Sequence, residues 1–100
     1  MATDTKGNLF EKVGTHLSIT FVREFRPYSD DPEWGRLRFY SIYAGEVITS
    51  IELGEFNTGS WAKFAEAGSN QKLLEKNTLA LLKERTRERI EELALLTHGL

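Results

Sequence analysis

Two runs of alternating apolar and polar residues, divided by a turn signal, occupy the middle of the chain. Residues 35–43 and 46–53 are rich in Ile, Val, Tyr, Phe and Thr, and Ala44-Gly45 lies between them. Runs of this composition on either side of a glycine-containing turn are typical of a β-hairpin. The pattern therefore predicts two antiparallel strands joined by a tight turn.

The length of the connecting loop decides which side chains share a face of the hairpin. A two-residue loop sets Tyr43 opposite Glu46 and mixes polar and apolar residues on both faces. A three-residue loop sets Ile42 opposite Glu46, gives Gly45 the left-handed position of a G1 bulge, and separates the faces. We predict this second register, with Arg36 opposite Glu52. Its apolar face carries Leu37, Phe39, Ser41, Val47, Thr49 and Ile51, and its polar face carries Arg36, Arg38, Tyr40, Glu46, Ile48, Ser50 and Glu52.

A third strand is predicted over residues 15–26, where apolar and polar residues alternate with the period of a half-buried strand. Arg23 falls on the apolar side and Val22 on the polar side. A bulge near these two residues, or an edge position for Arg23, would account for both. Residues 8–12 fit a capped helical turn and a short edge strand equally well. Residues 1–7 are predicted to be a flexible tail, and residues 27–34 a loop.

Two helices complete the predicted domain. Ser60 is a suitable N-cap for a short helix over residues 61–67, which Gly68 would end. Ser69 or Asn70 would cap a long helix from residue 71 to about 97. Its stripe at helical spacing consists of Leu74, Thr78, Leu79, Leu82, Thr86, Ile90, Leu93 and Leu96. The sequence thus predicts a single α+β domain over residues 8–100. A small antiparallel three-stranded β-meander would pack against the short helix and the long C-terminal helix.

The long helix is predicted to be longer than the sheet that it covers. It would span roughly 40 Å, whereas strands of nine residues span about 30 Å. Its end would then expose apolar side chains, and exposed apolar patches are typical of association surfaces. The alternative is a bent end that packs on the edge of the sheet. We predict binding of a protein partner or a second copy through Leu93, Leu96 and Leu100.

Composition and charge exclude several classes of protein. The chain has 100 residues, a formal net charge of −2 and no cysteine. It therefore lacks disulfides, thiolate ligands and a global positive field that would attract nucleic acid or membranes. No apolar run is long enough to cross a bilayer. We expect a cytoplasmic protein. Two histidines and scattered carboxylates supply no catalytic constellation, so we expect no enzyme, no cofactor and no metal.

The polar face of the sheet suggests an alternative function. Arg36, Arg38 and Tyr40 alternate along one strand, and Trp34 lies near its end. Arginines interleaved with aromatic rings bind phosphates and stack bases in several single-strand nucleic-acid modules. The same arginines could instead pair with glutamates across the sheet. The sequence therefore predicts a small non-enzymatic binding or regulatory protein that acts by protein–protein interaction, with single-stranded nucleic-acid binding as the alternative.

Overall fold

The computed structural model describes the backbone of residues 2–3 and 7–98 and the side chains of residues 7–95. The α+β class, the antiparallel sheet and the two helices are confirmed. The sheet is formed by four long strands rather than three, and a two-residue strand pairs at its first edge. Residues 1 and 4–6 of the predicted tail lie outside the described residues. The elements are β1 (Ala2–Thr3), β2 (Leu9–His16), β3 (Ile19–Pro27), β4 (Trp34–Tyr43), β5 (Glu46–Asn57), α1 (Gly59–Lys63) and α2 (Asn70–His98).

The additional strand arises from a hairpin turn inside the segment predicted as one strand. Leu17 and Ser18 both have positive φ, 50° and 68°, and His16 pairs with Ile19 across the turn. Two successive left-handed residues form a type I′ turn, which usually contains Gly, Asn or Asp. Neither residue is of that kind, so the alternation of apolar residues continued through the turn and concealed it. The segment before the turn, left open as a helical turn or a strand, is β2.

The predicted register of the β4–β5 hairpin is wrong. Tyr43 lies opposite Glu46, and Ala44 and Gly45 both have positive φ, so the loop has two residues. The faces separate nevertheless, because an extra residue, Ile48, bulges from β5 between the pairs Ile42–Val47 and Ser41–Thr49. A bulge of one residue moves every later side chain to the opposite face. Val47 therefore departs from its predicted apolar face and is 53% exposed.

The core lies between one face of the sheet and the two helices. Phe39 and Phe64 meet edge to face with their ring centroids 6.2 Å apart. Thr86 Oγ1 lies 2.8 Å from Ser41 Oγ and joins α2 to β4 through buried hydroxyl groups. The apolar core consists of Ile19, Phe21, Phe25, Leu37, Phe39, Phe64 and Leu82.

The N-terminal cap predicted from the sequence is wrong for α1 and correct for α2. Ser60 was predicted as the N-cap of α1, but α1 begins at Gly59, whose N–H donates to Asn57 Oδ1 at 2.7 Å. For α2, Ser69 Oγ accepts the Lys72 N–H at 3.0 Å, so the prediction of a cap at Ser69 or Asn70 is confirmed for Ser69.

The two predicted explanations for Arg23 are both wrong. The pairing of β3 with β4 runs from Thr20 to Pro27 without a shift of register, so β3 itself has no bulge at Val22 or Arg23. The nearby shift of register belongs to β2, where Val13 is the extra residue opposite the step from Phe21 to Val22. Because β3 lies between β2 and β4, Arg23 is not at an edge either. Arg23 instead points into the core face of the sheet and is only 3% exposed.

Candidate association surface

Exposed apolar side chains concentrate at the end of the sheet that carries two hairpin turns. The β2–β3 turn contains Leu17, and the β4–β5 turn lies between Tyr43 and Val47. The second half of helix α2 reaches the same end of the sheet, because Ile90 and Glu91 line a cavity together with Leu17 and Tyr43. We refer to this region as the apolar end. Its members and their exposed fractions are Leu17 79%, Tyr43 40%, Val47 53%, Leu93 38% and Leu95 74%.

The cavity of about 470 Å³ at this end is an open groove between the sheet and the second half of α2. Buried and half-buried apolar side chains form its floor, and exposed side chains form its rim. We call it the turn-end groove. The floor consists of Ile19, Phe21 and Ile90, and the rim of His16, Leu17, Tyr43, Lys83, Glu84, Arg87 and Glu91.

Leu17 occupies an unfavourable position for a leucine in an isolated domain. Its φ of 50° is left-handed, which costs about 1–2 kcal/mol for a residue with a Cβ. Its side chain is also 79% exposed at the lip of the groove. Asn or Gly would fit this turn better and would expose less apolar surface. Strain of this kind often marks a functional site, and the fold alone does not require a leucine here.

Helix α2 continues its core-facing stripe past the sheet. Leu82 and Thr86 are buried, Ile90 is half-buried, and Leu93 follows on the same helical face. All side chains from residue 91 to 95 are exposed. Of the predicted binding residues, Leu93 therefore lies at the apolar end. Leu100 and the side chain of Leu96 lie outside the described residues.

A buried cluster of charges fixes α2 to the sheet at its other half. Arg23 Nη1 donates to Glu75 of α2, and Arg23 Nη2 donates to Glu11 of β2 at 2.5 Å. The guanidinium also lies 4.6 Å from the ring centroid of Trp61 and 4.4 Å from that of Phe64. Sequence reasoning missed this cluster. The available signals were an arginine on the apolar side of β3 and a glutamate in line with Thr78 and Leu82 on α2.

The arginines proposed for nucleic-acid binding are engaged with glutamates. Glu24 is 3% exposed on the outer face, and its Oε1 accepts Nε–H groups from Arg26 at 2.6 Å and from Arg38 at 2.7 Å. The Arg38 guanidinium lies 4.5 Å from the ring centroid of Tyr40. Burial and the negative charge of Glu24 raise the pKa of the Tyr40 phenol. Tyr40 is 8% exposed, so its ring offers little surface for stacking a base.

Arg36 and Trp34 complete the predicted nucleic-acid face. Arg36 Nε donates to Glu52 Oε1 at 3.0 Å, and this hydrogen bond raises the pKa of the Arg36 guanidinium. The predicted ion pair is thus present, although the strand partner of Arg36 is Glu55. Trp34 is 41% exposed at the opposite end of the sheet from the apolar end. The face therefore carries one exposed aromatic ring and arginines that already have acidic partners.

The described residues hold no group of three or more His, Asp or Glu side chains placed to bind a metal ion. Neither of their helices offers the length of apolar sequence that a membrane crossing requires.

Comparisons with known proteins found no relative of this chain. No protein-family model matches the chain, and neither the curated proteins nor the solved structures include a match.

Proposed function

We propose that this chain is a non-enzymatic binding or regulatory protein that acts by protein–protein interaction and associates with a second copy through its apolar end. The observation that carries the proposal is the concentration of exposed apolar side chains around two turns and the end of α2. Burying Leu17, Tyr43, Val47 and Leu95 against a partner would remove apolar surface from water, which is the main favourable term in association.

The position of Leu17 adds independent support. A strained and exposed leucine lowers the stability of the monomer, so its presence is explained if the side chain is buried in an assembly. The outer face of the sheet gives less support to nucleic-acid binding. Its arginines are paired with Glu24 and Glu52, and the chain carries a formal net charge of −2.

The mass of the protein in solution tests the proposal. We expect sedimentation equilibrium to give twice the chain mass of 11.4 kDa at micromolar concentrations. Replacement of Leu93 and Leu95 by glutamate should give a folded monomer, because two charges would have to be desolvated in the interface. Circular dichroism should show that the helix content is unchanged.

A matched control uses two other exposed leucines of α2. Leu73 and Leu81 are 57% and 41% exposed and lie outside the apolar end. Their double replacement by glutamate should leave the dimer intact. A wild-type protein that stays monomeric at high micromolar concentration contradicts self-association, and a dimer that survives both double replacements places the interface elsewhere.

A further inference from the structure

The turn-end groove combines an apolar floor with charged side chains of both signs on its rim. We infer, on the basis of the proposed self-association, that two copies pair about a two-fold axis with their α2 helices antiparallel. Each turn-end groove then covers residues 90–95 of the other copy. Such an interface is isologous, because each groove–helix contact occurs twice.

The charges on the groove side of α2 are self-complementary in this arrangement. Arg87 and Glu91 both line the groove and lie one helical turn apart. They form an ion pair within the helix at 3.4 Å and are 66% and 62% exposed. In an antiparallel pair with its axis near residue 89, Arg87 of each copy meets Glu91 of the other. A parallel pair would instead set like charges against each other.

The apolar residues fit the same axis. Ile90 lies on the groove side of α2 next to the axis, so the two copies of Ile90 meet at the centre of the contact. Ala94 follows one turn later on the same side and is exposed, which allows the helices to approach closely. Beneath them lie Ile19 and Phe21 of the groove floor, and Leu17 closes its outer side. The two helices would overlap over roughly 28 Å.

Charge reversal with complementation tests this arrangement. With Arg87→Glu alone, both contacts between positions 87 and 91 across the dimer bring two carboxylates together. With Glu91→Arg alone, both contacts bring two guanidinium groups together. We expect each variant to dimerise more weakly than the wild type by on the order of ten- to a hundred-fold in Kd. An equimolar mixture should restore the dimer, because both contacts between the unlike variants are attractive. Native mass spectrometry identifies the mixed dimer by its mass.

The matched control is an ion pair of the same kind elsewhere on α2. Arg89 and Glu92 pair within the helix at 2.9 Å and are not among the groove residues. Arg89→Glu and Glu92→Arg should each dimerise like the wild type. This control separates the loss of a contact between copies from the loss of an ion pair within the helix.

A cross-linking measurement does not depend on charge. Because the chain has no cysteine, Ile90→Cys introduces a single thiol next to the proposed axis. Mild oxidation should join two chains at this position, since a disulfide requires Cα atoms within about 7 Å of each other. Leu73→Cys should stay unlinked under the same conditions.

The outcomes distinguish this inference from the proposed function. If Leu93→Glu with Leu95→Glu dissociates the dimer, but Arg87→Glu and Glu91→Arg dimerise like the wild type, the apolar end is the interface and the antiparallel arrangement is wrong. A mixture of the two reversal variants that stays monomeric also overturns the arrangement, as does failure of Ile90→Cys to cross-link. A wild-type monomer overturns both the arrangement and the self-association.

Discussion

At the scale of single residues, the burial of Arg23 determines how α2 lies on the sheet. Its side chain connects Glu11 of β2 with Glu75 of α2, and Arg23 Nε has no hydrogen-bond partner among the described residues. Taking two charges out of water is expensive, and each charge is tolerated only because the other is present. The pair therefore holds α2 in one position and is sensitive to the loss of either partner.

Arg23→Met should lower the free energy of unfolding by about 3–5 kcal/mol, because it removes the buried partner of the Glu75 carboxylate. The carboxylate would keep only the half-exposed ammonium of Lys72, 3.3 Å away. Urea denaturation measures the change. Arg89→Met, which removes an exposed ion pair, should change it by less than about 1 kcal/mol. Adding Glu75→Leu to Arg23→Met should recover part of the loss. If the two changes instead destabilise additively, the carboxylate and the guanidinium do not depend on each other.

The sequence identified much of the buried stripe of α2 but not this charge pair. Leu82 and Thr86 were predicted from their helical spacing, and both are fully buried. Glu75 has the same spacing but is a carboxylate, and a carboxylate becomes acceptable in a core only when a cation meets it. Lys72 of the same helix also pairs with Glu75 but is half-exposed, and the buried cation, Arg23, comes from a residue 52 positions earlier. A pattern along one helix contains no information about a partner so distant in the chain.

At the scale of elements, turn chemistry explains both the successes and the failures of the predicted sheet. Gly45 signals the β4–β5 turn, and the sequence located it. The β2–β3 turn consists of Leu17 and Ser18, whose left-handed backbone has no signal in their side chains. Because this turn was not recognised, β2 was not predicted as a separate strand. The bulge at Ile48 was not predicted either, and it shifts the register of β5.

Leu17→Asn separates the strain of the turn from association through the apolar end. Asparagine adopts the left-handed conformation more readily, so the variant should melt at a higher temperature in dilute solution. Its dimer should be weaker, because the leucine side chain is lost from the lip of the groove. Ser18→Gly relaxes the same turn without removing apolar surface and should leave the dimer unchanged. Equal dimerisation of Leu17→Asn and wild type would show that Leu17 is not part of the interface.

At the scale of the whole molecule, the outer face of the sheet is neutralised by its own ion pairs. A fluorescent single-stranded oligonucleotide at low salt should therefore show only weak binding, and Arg36→Ala should not change it. Tight binding would support the nucleic-acid alternative if Arg36→Ala reduced the dependence of binding on salt. The slope of log K against log salt concentration should then become shallower by about 0.7, the value expected for one lost phosphate contact. The matched control is Arg89→Ala, which removes a positive charge from α2.

The two bulges of β5 have a consequence for the way that the protein resists aggregation. β5 is the last strand in the order of the sheet, and its pairing with β4 shifts at Ile48 and again at Leu53. Each bulge bends the strand and interrupts the even spacing of its backbone amide and carbonyl groups. A foreign strand could match only short regular stretches such as residues 49–52 and 54–57, and four residues are too few for stable pairing. Two extra residues in one strand thus protect this edge from fibre growth without the prolines or lysines that often serve this purpose.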